Sequence, residues 1–580
     1  MLSHYMILKQ QENNLKLNNS KHTKGLTLTS AVLLFFIAFG VGCKKEETPK
    51  PKPTPNNVQL VSIKWDDNNV YGIRKNASVN PIIRIRFSEP LDTAVAIEEI
   101  GIKYNGVQTV KCDYSFENND STIVFSPLEN LKYYSKYTLP ISTKIKSKAG
   151  GFVTSANSIL IRTTWDPSQK FPTITEDELL DLVQEKTFAY FWDFAHPVSG
   201  LARERNTSGD LVTSGGSGFG IMAAVAAVER NFISRSQFVQ HMDKMTDFLW
   251  NTADVFHGAF SHWLSGSTGE VRPFSANDDG ADLVETSYLI MGLLTAKEYL
   301  DINNPDEKNV INRIDSIWQR VEWNWFTKNG AEDQLYWHWS PNKGWAMNMP
   351  IRGYNECLIT HVLAASSPTH PVDPKVYHNG WARNGGIKNG KSFYGITLPL
   401  GQDYGGPLFF EQYTYLGLDP RGLTDDYGNY WDQVVNHSKI NHAYCKANPK
   451  NQAGYSDSCW GLTASDNPWG YSAHSPTNDR GVITPTAALS SIAYTPEESK
   501  KALNFFYYTM GNLLFKDYGF VDAFCVGEVW AASSFLAIDQ GPIIVNIENY
   551  RSQLLWELFT ANTDIQTGLK ALNFQAPYLK

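Results

Sequence analysis

At 580 residues the chain is too long for one compact core and implies two or three domains. A formal net charge of −8, with no basic block beyond the N-terminal leader, argues against nucleic acid as a partner. The 17 tryptophans and 28 tyrosines, set beside acids, suit a neutral hydroxyl-rich ligand, although large helical cores hold many aromatics too. The six cysteines are Cys43, Cys112, Cys357, Cys445, Cys459 and Cys525, and none forms a C-x-x-C pair, which argues against zinc ribbons and thioredoxin-type redox chemistry. Cys445 and Cys459 suit either a disulfide across a loop or two buried free thiols.

In chain order, Lys21, His22 and Lys24 precede an apolar run over 26–41 that ends at Gly42-Cys43. The run is short for a membrane span, and Lys44 and Lys45 follow at once. The layout resembles a bacterial lipoprotein signal, 1–43, which implies that Cys43 is lipidated and tethers the protein to a membrane outside the cytoplasm; a plain membrane anchor is the alternative. Residues 44–57 are charged and proline-rich and read as an extended spacer.

Over 58–165 short alternating segments predict strands at 82–87, 121–125, 137–141 and 159–163, separated by turn formers such as Ser88-Glu89-Pro90 and Asn118-Asn119-Asp120. Regular short strands predict a small β-sandwich. Arg86-Phe87-Ser88-Glu89-Pro90-Leu91-Asp92, with Phe125-Ser126-Pro127 and Tyr137-Thr138-Leu139, resembles bacterial Ig-like domains. It holds no catalytic constellation and reads as a support, with carbohydrate binding as the alternative.

From 166 to 580 the pattern is helical. Thr175 and Glu178 have the spacing of a capping box, opening an amphipathic helix through Phe191 and Trp192. Helices apolar all round (218–230, 277–300, 354–365, 485–493) then alternate with amphipathic ones (236–250, 306–321, 429–447, 499–514), and further helices are predicted over 529–538 and up to Phe559. A helix polar on one side belongs at the surface, whereas one apolar on every side must be surrounded. Strict alternation therefore predicts an inner ring inside an outer ring: a mainly α protein with an (α/α)6 barrel behind the sandwich.

The most informative stretch is 277–300, NDDGADLVETSYLIMGLLTAKEYL. Its second half is apolar on every side, yet its first turns carry four carboxylates. If the helix begins near Asp278, then Asp278, Asp282 and Glu285 share one face. Asp278 and Asp279 suit capping and the helix dipole, but Glu285 lies beyond the first turn, where burial is costly without a partner or a wet cleft. Glu356 opens another inner helix, and Asp539, in Ile538-Asp539-Gln540-Gly541-Pro542, suits a cap with proline in the first turn. Two carboxyls from different helices at one barrel mouth suggest glycoside hydrolysis, in which one acid protonates the leaving oxygen while the other activates water or attacks the sugar. Aromatic loops bearing Trp263, Trp337-His338-Trp339, Trp345, Trp460, Trp469-Gly470-Tyr471 and Trp530 are candidates for stacking on sugar rings. Ser214-Gly215-Gly216-Ser217-Gly218-Phe219-Gly220 lacks the strand and the Lys-Ser/Thr of a phosphate loop and reads as a close approach to ligand or neighbour. His437, His442 and Cys445 lack metal-ligand spacing, and no G-x-S-x-G elbow is present.

The region from Ile174 to Phe574 resembles the glycoamylase-like family, and within it glycoside hydrolase family 144. The likeness rests on Phe188-Ala189-Tyr190-Phe191-Trp192, Ser217-Gly218-Phe219-Gly220, Asp278-Asp279-Gly280-Ala281-Asp282-Leu283-Val284-Glu285-Thr286, Tyr354-Asn355-Glu356, Pro407-Leu408-Phe409, Gly461-Leu462-Thr463-Ala464-Ser465-Asp466 and Asp539-Gln540-Gly541-Pro542. It implies an (α/α)6 barrel that hydrolyses β-1,2-glucan with inversion, endo-acting or sophorose-releasing, with no metal and no cofactor. By motif, Glu356 is expected to be the general acid. Asp278, Asp282 and Glu285 are the water-activating or positioning set, with Asp466 and Asp539 in reserve as the base. Trp192, Phe219, Trp263, Trp337, Trp345, Trp460, Trp469 and Tyr471 are the expected substrate contacts, and a monomer is expected. The alternatives are a β-glucosidase or other glucan hydrolase on the same barrel, or a glycan-binding lipoprotein without turnover.

Overall fold

The computed structural model describes residues 55–580; the apolar run, Cys43 and most of the 44–57 spacer lie outside them. Among the described residues no helix is long and apolar enough to cross a membrane. The described residues divide into two compact units, one ending at Thr164 and the other Trp165–Lys580.

In the first unit two five-stranded sheets enclose one core. One sheet runs Asn68–Asn69, Leu60–Trp65, Ile83–Phe87, Thr122–Pro127, Cys112–Glu117; the other runs Ile73–Ala77, Asn157–Thr163, Lys136–Ile141, Lys103–Tyr104, Gln108–Thr109. Strand alternation sets which side chains face inward: Ile83, Ile85 and Phe87 are buried while Arg84 and Arg86 point away. Ile83 pairs with Phe125 and Ile85 with Ile123, so the register places apolar side chains opposite one another. Tyr137, Leu139, Ile159 and Ile161 supply the facing layer.

The second unit is an (α/α)6 barrel. Three long inner segments are Ser214–Glu229, Leu283–Tyr299 and Ala537–Arg551, buried along most of their length; Leu358–Ser366, Phe409–Gln412 with the turn Thr414–Leu416, and Pro485–Leu489 complete the ring as shorter pieces. Outer helices such as Arg235–Asn251 and Pro305–Gln319 bury one stripe, Phe238, Met242, Met245 and Leu249 in the first and Val310, Ile311, Ile314 and Ile317 in the second. The capping box at Thr175 is present: Glu178 N donates to Thr175 Oγ1, and Thr175 N donates to Glu178 Oε2 at 2.8 Å.

Neighbouring inner helices are tied by close backbone approach and by hydrogen bonds. A Cβ on Gly218 would lie 2.1 Å from Tyr288 O, and one on Gly292 would lie 2.2 Å from Gly218 O, so these two helices touch through their glycines. Ile359 N donates to Thr414 Oγ1 (3.2 Å), Gln412 Nε2 to Ala487 O (2.9 Å), and Asn546 Nδ2 to Ser490 O (2.8 Å). Each tie satisfies a polar group that burial would otherwise leave unpaired.

Three expectations about helices are corrected. The helix predicted near Asp278 starts at Leu283, because Ala281–Asp282 instead pairs as a short strand with His338–Trp339. The helix predicted over 529–538 does not form before Ala537: Val529 takes a left-handed conformation (φ 49°) and Trp530–Ala531 pairs with Phe524–Cys525. The last helix is interrupted at Gln553 (φ 67°), and Pro542 lies inside Ala537–Arg551 rather than in its first turn. Cys445 and Cys459 are both buried free thiols.

Candidate active site

The inner helices begin together, and the acids singled out above gather there by three different routes. Asp282 is the N-cap of Leu283–Tyr299: its Oδ1 accepts from Val284 N (3.0 Å) and Glu285 N (2.9 Å). Glu285 sits in the first turn and its Oε2 accepts from Gly215 N at 3.0 Å. Asp278 arrives on the preceding loop. The three acids therefore do not share a helical face, as expected from spacing; a strand pairing and two histidines bring them together.

Those histidines were missed from sequence. His338 Nε2 lies 3.2 Å from Asp278 Oδ2 and 3.3 Å from Asp282 Oδ2, and His262 Nδ1 lies 3.3 Å from Asp282 Oδ2 with its Nε2 3.8 Å from Glu285 Oε1. Burial disfavours an imidazolium, but the surrounding carboxylates outweigh it, lifting His262 to about 9 and His338 to about 10. Asp282, although buried, is held well below the usual carboxylate range by hydrogen bonds from the same two rings. Glu285 behaves differently: burial and the nearby Asp282 and Asp278 outweigh His262 and Gly215 N, and its carboxyl rises to about 7. His262, Asp278 and Asp282 present ligand atoms within 4.8 Å of one another, so these three are the residues that could hold a cation. The imidazolium pairings already engage the same carboxylate oxygens and supply the positive charge. Asp279, read as a cap, instead accepts from Asn342 Nδ2 at 3.0 Å.

Glu356 stands two residues before Leu358–Ser366, and its backbone carbonyl accepts from Thr414 Oγ1 at 2.8 Å. It is 2% exposed, and neither carboxylate oxygen meets a hydrogen-bond partner among the described residues. Burial lifts it to about 7, so it keeps its proton into the neutral range.

A third group lies at the start of Ala537–Arg551. Asp539 is in its first turn, 2% exposed. Asp466, on the hairpin Ala464–Asn467/Gly470–Ala473, accepts from Arg205 Nη1 (3.2 Å) and Ser534 Oγ (2.6 Å). Asp522, also missed from sequence, touches Asp539 and is 3% exposed. Its signal was present: an acid inside the apolar run Phe520-Val521-Asp522-Ala523-Phe524, the pattern that marked Glu285. Tyr413 joins the groups, since Asp539, Tyr471, Glu285 and Glu356 all act on its phenol, whose pKa burial first raises. Its ring packs on Phe219 at 5.2 Å and Tyr288 at 5.6 Å.

The aromatic candidates separate by exposure. Trp469, at the hairpin tip, is 55% exposed, and Tyr471 is paired across from Asp466. Trp263 packs on Phe274 at 4.6 Å beside His262. Trp345 is half-buried among Trp325, Phe326 and Tyr336. Four others are corrected to packing roles. Phe219 and Trp460 have no exposed surface, and Trp337 is buried against His338. Trp192 is wedged between Phe188 and His241 on the outer helices. The glycine-rich 214–220 segment approaches neighbours: a Cβ on Gly215 would lie 2.3 Å from Glu285 Oε2, and one on Gly220 2.6 Å from Phe191 Cδ1.

With this geometry in hand, the Glycoamylase family model matches residues 348–563 and a bacterial Ig-like domain model matches residues 68–165. An endo-β-1,2-glucanase from Chitinophaga pinensis, solved with sophorotriose and glucose, is 51% identical, covering 70% of this chain and 100% of its own, with a TM-score of 0.69. The chain belongs to the glycoamylase-like family, glycoside hydrolase family 144. A β-1,2-glucanase structure from Parabacteroides distasonis, 36% identical, covers 90% of this family member and 73% of its own chain, with a TM-score of 0.67. An exo β-1,2-glucooligosaccharide sophorohydrolase acting at the non-reducing end, from the same organism, is 45% identical over 421 residues, 69% of this chain. The chain spans 58% of that relative's length.

Proposed function

We propose that the protein hydrolyses β-1,2-glucan by an inverting acid/base mechanism. The observation that carries this reading is Glu356: a buried carboxyl whose oxygens meet no hydrogen-bond partner among the described residues, protonated into the neutral range, at the mouth of a barrel that is half identical in sequence to an endo-β-1,2-glucanase. Glu356 gives its proton to the glycosidic oxygen as the C–O bond breaks. Asp539 takes a proton from the water that attacks the anomeric carbon from the other side. Asp282 has its oxygens committed to two backbone N–H groups and two imidazoles, which suits a positioning role and not that of a base. Glu285 and His262 are placed to hold sugar hydroxyls, while Trp263, Trp469 and Tyr471 offer ring surface. The 21–43 pattern supports attachment at a membrane face outside the cytoplasm.

The test is incubation with linear β-1,2-, β-1,3- and β-1,4-glucans, with product sizes read by chromatography and the fresh anomer by proton NMR. Release of α-anomeric β-1,2-linked oligosaccharides from the first substrate alone is expected. Binding without turnover, or a retained β-anomer, would overturn the mechanism.

A further inference from the structure

Asp522 has no role in the chemistry described so far, yet it is a fully enclosed acid set against another acid. Its position is fixed by its backbone, since Asp522 N donates to Ser534 O (3.0 Å) and Ala532 N donates to Ala523 O (2.8 Å) on either side of it. One carboxylate oxygen, Oδ2, accepts from Asp466 N at 2.7 Å. The other, Oδ1, is buried and meets no donor among the described residues, and the same is true of Asp539 Oδ2. The two carboxyls lie close enough to act on each other. Two acceptor oxygens facing each other in a dry site repel unless a proton lies between them.

The surrounding charge gives the same answer. Asp466, Asp539, Glu204 and Arg205 face this spot, with Tyr471 beside them; Arg205 is the cation among them, and its guanidinium is already shared between Glu204 Oε2 (2.9 Å) and Asp466 Oδ2 (3.2 Å). A doubly ionised Asp522/Asp539 pair would leave one guanidinium among four carboxylates. We propose that Asp522 is a positioning residue for hydrolysis: it keeps a proton and donates it to Asp539, so that the pair carries one negative charge and presents Asp539 as the ionised oxygen toward water. Burial and the neighbouring Asp539 and Asp466 push Asp522 well above the usual carboxylate range, while burial, opposed by the hydrogen bond from Asp522, sets Asp539 at about 7, which agrees with that division of labour.

This inference rests on the hydrolase reading for its catalytic half. When the water oxygen bonds to the anomeric carbon, the water O–H bond breaks toward Asp539, and the proton of Glu356 ends on the departing sugar oxygen. The proton of Asp522 stays within the pair. The pair then holds two protons and Glu356 none, and exchange with solvent restores both.

The test compares Asp522→Asn, which still donates from its amide, with Asp522→Ala, which cannot. Asp522→Ala is expected to lower kcat about 10²-fold with KM unchanged, as misplacement of a reacting group does. Asp522→Asn is expected to recover most of kcat, with the acid limb of the pH profile moved to higher pH because an amide is the weaker donor. Independently of activity, infrared difference spectra at pH 8 are expected to show a protonated carboxyl band in the native protein that Asp522→Asn lacks. An unchanged band, or a native kcat and pH profile in Asp522→Ala, would overturn the proposal. A band present in the native protein and lost in Asp522→Asn, in a protein that cleaves no glucan, would uphold the shared proton and sink the substrate reading instead.

Discussion

Two groups of acids face the same barrel mouth and solve the same problem in opposite ways. Around Asp278 and Asp282 the cost of burial is offset by cations: two imidazoles stand within 3.3 Å of Asp282 Oδ2, and that carboxyl stays ionised. Among the described residues only Arg205 stands beside the Asp522/Asp539 pair, already shared with Glu204 and Asp466, and there as at Glu356 burial prevails and favours the protonated form. Side chains of nearly identical chemistry thus become fixed anions on one side and proton carriers on the other. The difference lies entirely in what each loop brings within hydrogen-bond range.

The most damaging way to break this contrast is to remove the proton carrier. Glu356→Gln is expected to lower kcat about 10²–10⁴-fold, the usual range for a lost general acid, with the circular dichroism spectrum unchanged. The same variant sharpens the contrast through stability. An acid whose folded pKa, about 7, exceeds its unfolded value near 4.5 is still protonated in the folded state where the unfolded chain has released its proton, so folding loses stability as pH rises between them. Glu356→Gln is therefore expected to melt higher than the native protein at pH 8 and alike at pH 4.

On the other side, His338→Ala removes a cation shared by two buried carboxylates. A loss of about 3–5 kcal/mol is expected in denaturant unfolding, shrinking in acid as the stranded carboxylates take up protons. A deficit that stays constant from pH 4 to pH 8 would mean that the histidine was neutral packing. Gly215→Ala is next in size. Its methyl group would collide with Glu285 Oε2, costing about 1–3 kcal/mol and displacing the carboxyl, to be read as lower Tm together with lower kcat. The smallest effect is expected from Trp469→Ala: at 55% exposure the ring contributes little to folding, so a rise in KM of a few fold should appear with stability changed by less than about 0.5 kcal/mol.

The architecture was readable because it depends on local pattern. Inner helices must be apolar all round, strands must alternate, and Thr175 with Glu178 announces its own helix start. Glu285 was readable for the converse reason, as an acid where the pattern forbids one. The histidines were not, because nothing near His262 or His338 in sequence refers to Asp282; the pairing of His338–Trp339 with Ala281–Asp282 is a tertiary fact. Residues 529–538 read as a helix from composition, yet strand pairing at Trp530 and a left-handed Val529 override propensity. Loop tryptophans were equally ambiguous. Trp460 and Trp469 share a loop-rich context, and only burial separates a core ring that donates to Glu498 O from one open to solvent.

Gly215 and Glu285 stand 70 residues apart in the chain but have one history between them. The missing side chain at 215 is the space that one carboxylate oxygen occupies, so neither position can change freely while the other is kept. A lineage that tried any larger residue at 215 first would lose its acid; one that shortened Glu285 first would open a gap that a methyl group could then fill. The order of substitution, and not only their sum, decides which relatives of this barrel can be reached by single steps.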